Sequence, residues 1–352
     1  MLTRREFIKG GLAVSMAAMY GAKLSAQDLP PISVVGISSA GMGNNRDGMG
    51  LRPALGDDAM AFIEYCRSLG AGGVQFSPTG DLVVLRRRLD ELGMWFEGNA
   101  RPPRSLSEST DAFEQSLRDT LAMGGNVVRY VSRMPEGATG RRYESFTSLA
   151  QFEAWRDEAN AIVMKCLPIA ERLGVKIALE NHKDRTVDEH VDFLKTASSE
   201  YLGALVDPGN NLSLIELPEE TCAKLAPYVL MVSMKEMGVA PYEDGFLLSE
   251  VRMGEGATDQ MALWNILKAG NPSLKFAAEM ITRDPLKVPC LTQNYWASMP
   301  EYSAAKLAAH MNWVKSNATK LPYVDHLSAA EQLKAEEDNN RNVIEWGRLH
   351  LA

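Results

Sequence analysis

From residue 32 to about residue 280, short apolar runs alternate with longer stretches in which apolar residues return every three or four positions. The second pattern marks one face of a helix. The first, when bounded by glycine, proline or polar turns, marks a buried strand. Read this way, 32–37, 73–76, 94–97, 126–131, 175–180, 204–207, 229–233 and 275–280 are strands, and stretches such as 57–69, 149–173 and 187–198 are helices between them. Four strands follow a helix-ending glycine, in Leu69-Gly70, Leu92-Gly93, Met123-Gly124 and Leu173-Gly174. Glycine suits the left-handed residue that closes a helix. Eight β/α units of about 36 residues each are the usual allotment for a closed parallel barrel. The pattern predicts an α/β protein with a single (β/α)8 barrel over 30–320. An open, doubly wound sheet is the competing arrangement. It normally carries a phosphate loop, and Gly41-x-Gly43 after the first strand lacks the third glycine and the spacing of one.

The two ends break the alternation. Thr3-Arg4-Arg5-Glu6-Phe7-Ile8-Lys9 puts paired arginines before a weakly apolar run at 10–20, and small residues follow at Leu24-Ser25-Ala26. The run is too short to span a bilayer, which takes roughly 20 residues. Residues 1–26 resemble a twin-arginine signal peptide. That implies export in the folded state by the twin-arginine translocase and a periplasmic location. A basic leader for the general secretory route is the plainer alternative. No cysteine follows the run, which argues against a lipid anchor, and no later segment is apolar enough to cross a membrane. After Lys320 the chain turns polar, acidic and helix-prone. Residues 321–352 are read as a C-terminal helical extension, packed outside the barrel or used between subunits of a homo-oligomer, or else as a partly ordered tail.

Composition narrows the partners. A net charge of −8 argues against nucleic acid, whose phosphates recruit clusters of lysine and arginine. Cys66, Cys166, Cys222 and Cys290 are far apart, so a zinc knuckle is excluded.

In a parallel barrel the chemistry sits at the C-terminal ends of the strands. There the fifth predicted strand ends in Glu180-Asn181-His182 and the sixth in Asp207-Pro208-Gly209-Asn210. The seventh continues through Ser233-Met234-Lys235-Glu236, and the eighth ends in Glu279. A lone acid at a strand end is often only a helix cap; three ending successive apolar runs point to one acidic pocket. Crowded carboxylates raise each other's pKa or recruit a cation. An oxygen-loving Mn²⁺ or Mg²⁺ is the natural neutraliser, with Glu180, Asp207 and Glu279 as ligands. Lys235 shares a face with Ser233 by strand alternation, and its ammonium could offset the cluster instead. His182 and Asn210 are candidate substrate contacts, or a structural histidine and a plain turn residue. Glu97 and Arg129, ending the third and fourth strands, and Arg252 and Arg283, near the seventh and eighth, could bind hydroxyls or serve as rim ion pairs. Trp296 could stack on a sugar ring or pack on the rim. Glu180 and Glu279 as acid and base, beside a fixed positive charge, would suit proton transfer next to a carbonyl.

Glu180-Asn181-His182, Asp207-Pro208-Gly209-Asn210, Met253-Gly254-Glu255-Gly256-x-x-Asp259 and Glu279 together resemble the xylose isomerase-like TIM barrel superfamily. Its members include sugar isomerases and epimerases, inosose dehydratase and endonuclease IV. The run from Glu279 to Pro289 is similar to its signal-bearing bacterial branch of sugar phosphate isomerases/epimerases. The resemblance spans 32 to about 318. It implies a divalent ion held by Glu, Asp, His and a second Glu, with the two glutamates moving the proton on either side of a ketose. By position these are Glu180, Asp207 and Glu279. The histidine is missing: its place, two residues before Lys235-Glu236, holds Ser233, a poor neutral ligand. The implied activity is a sugar isomerase or epimerase. A lyase on a keto-sugar or keto-inositol, or a non-catalytic sugar-binding barrel, are the alternatives. Export favours a free or glycosidic sugar over a phosphorylated one.

Replacing Arg4 and Arg5 together by lysine is expected to hold the precursor in the cytoplasm, because lysine cannot reproduce the planar guanidinium fork. Cell fractionation checks this, and normal export of the double variant would assign the leader to the general secretory route.

Overall fold

The structure, a computed structural model, describes residues 29–43, 58–300 and 303–351; the signal segment expected at 1–26 lies outside them. Eight parallel strands form a closed barrel: β1 (Val35–Ser38), β2 (Gly73–Phe76), β3 (Trp95–Asn99), β4 (Val127–Tyr130), β5 (Lys176–Glu180), β6 (Leu202–Val206), β7 (Val229–Met234) and, after an inserted hairpin, β10 (Phe276–Ala278). Each pairs with its sequence neighbours, and β10 closes on β1 through Val35 opposite Phe276 and Ile37 opposite Ala278. The (β/α)8 architecture expected from the alternation is the one observed.

Successive side chains of a strand point to opposite faces, and here the two faces carry different chemistry. Outward positions such as Ile37, Val74, Phe96, Tyr130, Leu179, Val206, Val232 and Ala278 are buried with the surrounding helices in the main apolar core. Inward positions at the base are small around one large ring. A Cβ added at Gly73 would lie 1.9 Å from Cδ2 of Trp95, and one at Gly36 would lie 2.5 Å from its outer ring carbons. Glycine at both positions makes room for the indole. A separate small cluster of Ala178, Leu205 and Met231, with Val127 against it, lies on β4 to β7.

The alternation did not foresee a second sheet. β8 (Glu236–Tyr242) and β9 (Gly245–Val251) form an antiparallel hairpin directly after β7, and β11 (Leu286–Val288) pairs with β9 beyond the last barrel strand. Val239, Phe246, Leu248 and Val288 bury one face of this sheet in a second apolar cluster with Leu307, Met311 and Val314 of helix Ala304–Ser316. Two strands joined by a tight turn need no intervening helix, so a reading built on β/α units passes over them.

The C-terminal helical extension is present, as helix Ala329–His350, and its N-terminus carries a capping box between Ser328 and Glu331. It lies against β1 and β10, the place an eighth outer helix takes in such a barrel. Val343 and Ile344 are fully buried in the main core. Its acidic composition hides a narrow apolar stripe. No helix among the described residues is long and apolar enough to cross a membrane, and all four cysteines are free and buried.

Gly347 in that helix meets β1 closely: a Cβ there would stand 2.1 Å from Cγ2 of Val35. Glycine to alanine inside a helix ordinarily stabilises by roughly 0.5–1 kcal/mol. Here overpacking should reverse the sign and destabilise by about 1–3 kcal/mol. Urea denaturation of Gly347→Ala tests this, and a stabilised variant would show that the helix does not press on β1.

Candidate active site

The inward phase of each strand, carried to its C-terminal end, brings polar groups to one point. β4 delivers Arg129, β5 ends on Glu180, β6 runs into Asp207, β7 presents Ser233 and then Lys235, and β10 runs into Glu279. Glu180, Asp207, Ser233, Lys235 and Glu279 are all buried. One oxygen of each of Glu180, Asp207 and Glu279 lies within 4.8 Å of the others, a set that could hold a metal ion.

Five of the six carboxylate oxygens accept a hydrogen bond from the protein; the sixth, Asp207 Oδ2, accepts none among the described residues and has only an ion-pair contact. Arg129 bridges two acids: its Nε donates to Glu180 Oε2 at 2.5 Å and its Nη2 to Glu279 Oε1 at 3.1 Å. Glu180 Oε1 accepts from Asn210 Nδ2 at 3.3 Å, and Glu279 Oε2 from the Ser233 hydroxyl at 2.9 Å. Asp207 Oδ1 accepts from the Gly209 amide at 3.0 Å, and the Lys235 ammonium stands 2.7 Å from Oδ2. The three carboxylates could hold a divalent ion only in competition with the ammonium and guanidinium that now face them. Mn²⁺ or Mg²⁺ would have to displace both.

Crowded carboxylates were expected to raise each other's pKa or to recruit a cation, and cations of the chain stand among them. Burial works against the Glu279 carboxylate, but Arg129, Lys235 and the Ser233 hydroxyl outweigh it and hold Glu279 at about 2. The raised member is Asp207. Burial pushes it up to about 6, although Lys235 and Lys183 pull the other way. Like-charge crowding is present, but interleaved cations decide which acid bears it.

Asn181 and Asn210 set the geometry. The Asn181 side chain accepts from the Asp207 amide and donates to the Asp207 carbonyl, both at 2.8 Å, which ties the end of β5 to the end of β6. Asn210 is turned by its neighbours so that its amide nitrogen meets Glu180, because its oxygen accepts from the Lys183 ammonium.

Lys183 and Glu250 were missed in the sequence. Lys183 is buried, with a left-handed backbone (φ 57°). Burial and the Lys235 ammonium lower it to about 8. Glu250, on β9, faces Lys235 at 3.9 Å and pairs with Arg283 at 2.8 Å. The signal for Glu250 was an acid inside the apolar run Leu247-Leu248-Ser249-Glu250-Val251, but nothing in the sequence tied that run to the barrel mouth.

The remaining candidates divide. His182 is half-buried beside a cavity of about 400 Å³ that Asn99, Arg129, Ser132 and Thr139 also line. Its ring makes no hydrogen bond to the carboxylates among the described residues, and burial lowers its pKa despite Glu180. Arg283 reaches the cluster only through Glu250. Glu97, Arg252 and Trp296 take other positions. Glu97 does not end its strand, since β3 runs on to Asn99. It lies inside the barrel, accepting from Gln75 at 3.4 Å, and burial raises it to about 7 against the pull of Lys275 and Gln75. Arg252 is exposed just beyond β9, without an ion pair among the described residues, because the hairpin carries it outward. Trp296 donates to the Cys290 carbonyl at 2.9 Å and packs on the second apolar cluster.

Arg129 is the largest influence lowering Glu279, which sets an acid-limb test. A carboxylate whose folded pKa lies below its unfolded one contributes stability at neutral pH, and that stability is lost as the pH falls from the unfolded value towards the folded one. For Glu279 this window runs from 4.5 down to about 2. Arg129→Met should raise the folded value and flatten the loss, seen by urea denaturation at about pH 5, 4 and 3. An unchanged acid limb would mean that Arg129 does not hold Glu279.

Comparison with known proteins bears on the family and the fold. The chain is 24% identical over 229 residues to the 3-oxo-isoapionate decarboxylase of Pectobacterium atrosepticum, a match covering 62% of this chain and 76% of that enzyme. Its fold is shared by D-psicose 3-epimerase solved with D-fructose (TM-score 0.52, 12% identity, 82% of this chain and 92% of that one). It is also shared by an IOLI protein solved with a zinc atom (TM-score 0.51, 13% identity, 89% and 98%). The family model described as xylose isomerase-like TIM barrel matches residues 47–288, more than half of the sequence, and the chain belongs to that family.

Proposed function

We propose that the protein is an enzyme that moves a proton next to the carbonyl of a small carbohydrate, a sugar isomerase or epimerase in which Glu180 and Glu279 exchange the proton. The observation that carries this reading is the single guanidinium of Arg129 bridging the two glutamates, one from β5 and one from β10. It holds both side chains in fixed orientation beside a cavity of about 400 Å³ that Arg129 itself lines.

Proton abstraction beside a carbonyl places negative charge on the carbonyl oxygen, and donors fixed in advance stabilise it without reorganising. Arg129 borders the cavity, and Lys235 lies among the acids. Where a substrate oxygen competes for the Arg129 Nη2 hydrogen bond, rather than taking one of the guanidinium N–H groups that the glutamates leave unused, it takes that bond from Glu279. Glu279 then loses part of what holds it at about 2 and becomes a stronger base. Asn210 keeps Glu180 aligned. No step in this reading runs through Mn²⁺ or Mg²⁺.

A second reading, a lyase, has one observation of its own, the likeness to a decarboxylase of a 3-oxo sugar acid. The same fixed cations stabilise an enolate whether its electrons come from a C–H or a C–C bond. The resemblance of residues 1–26 to a twin-arginine signal supports a periplasmic setting for either reaction, where a free or glycosidic sugar is a better candidate than a phosphorylated one.

The test is proton exchange in deuterated water, followed by NMR over a panel of free ketoses, 3-keto-glycosides and 3-oxo sugar acids. Wild type is expected to introduce deuterium next to the carbonyl of at least one. Glu180→Gln and Glu279→Gln should each lose about 10²- to 10⁴-fold while staying folded by circular dichroism. Loss of carbon dioxide or formation of an enone would select the lyase, and an inert wild type across the panel would sink the proposal.

A further inference from the structure

We infer that this pocket is completed by an internal cation, with the Lys235 ammonium standing where the fold would otherwise place a divalent metal ion. The inference concerns the same pocket as the proposed reaction but needs no substrate to test.

Lys235 lies one alternation beyond Ser233, is 2% exposed, and projects into the acids from the end of β7. Its Nζ is 2.7 Å from Asp207 Oδ2, 3.9 Å from Glu279 Oε2 and 3.9 Å from Glu250 Oε1. A metal ion at those oxygens would sit about 2.1 Å from each. The two cations would then compete for the same carboxylates and repel each other at close range.

Charge balance points the same way. Glu180, Asp207, Glu279 and Glu250 face Arg129, Lys235, Arg283 and Lys183, four of each sign in contact with one another or through Asn210. A divalent ion added to this set would bury two uncompensated charges, which costs far more than an exposed site would. Ser233 completes the picture. Its hydroxyl donates to Glu279 at 2.9 Å, so it supports the carboxylate and offers no ligand. In chemical terms the ammonium supplies the electrostatic part of a Lewis acid's role, a fixed positive charge beside a developing oxyanion.

The experiment is metal analysis and metal titration of the full chain, isolated without chelator from cells grown with added Mn²⁺. Wild type should hold well under one equivalent of any divalent metal, and neither excess MnCl₂ nor EDTA should move its melting temperature. Ser233→His alone should gain nothing, because Lys235 still fills the position. Ser233→His with Lys235→Met vacates the position and adds an imidazole. It should bind Mn²⁺ more tightly than wild type by at least roughly tenfold, the lower end of what a supporting residue around a metal is worth. Near-stoichiometric metal in wild type, a melting temperature that falls in EDTA, or tight Mn²⁺ binding by Ser233→His with Lys235 in place would each overturn the inference. Should the double variant not fold, the metal content and EDTA response of wild type still decide. An inert proton-exchange panel would refute the proposed reaction and leave this result standing.

Discussion

Carboxylates crowded at the mouth of a parallel barrel must be neutralised, and in this protein side chains of the same chain do it. Glu180, Asp207 and Glu279 are almost wholly buried, and isolated charges so placed would lose several kcal/mol of hydration each. Arg129 and Lys235 restore what hydration gave, from β4 and β7, with oxygens at 2.5–3.1 Å. The rest of the site follows from this compensation. Asn210 is held by Lys183 so that it faces Glu180, Ser233 donates to Glu279, and Glu250 links Lys235 to Arg283.

The barrel makes the compensation affordable by separating two kinds of core. Outward strand positions are uniformly apolar and join the helices in the main cluster. Inward positions change along each strand, from glycines packed around Trp95 at the base to charged groups at the mouth. The helix Ala329–His350 seals β1 and β10, the closing strands of the barrel, one of which leads into Glu279. A polar, acidic segment at the end of the chain therefore supports the site from outside it.

The chemistry expected of such a site is a matter of which group is free to act. Glu279 is held low by its cations, while Asp207 is pushed up to about 6. Ligand binding that draws on Arg129 would redistribute those shifts, because the guanidinium is shared between two acids and borders the cavity.

Strand and helix periodicity determined the barrel, since each apolar run needed only its own residues to be recognised. The same alternation determined that Glu180, Asp207, Ser233, Lys235 and Glu279 share an inner face, because the period of two is a local property of the backbone. What local pattern could not determine was who meets whom. Arg129 as a bridge between Glu180 and Glu279 depends on strands 51 and 150 residues away in sequence. Glu250 enters only because β8 and β9 fold back as a hairpin, and Trp296 packs on the apolar cluster that this sheet helps to form. Glu97 moved from rim to interior because β3 runs two residues further than its apolar run suggested. The ionisation of the acids belongs wholly to the tertiary structure: it is set by distances between charges on different strands, and no spacing along one strand contains them.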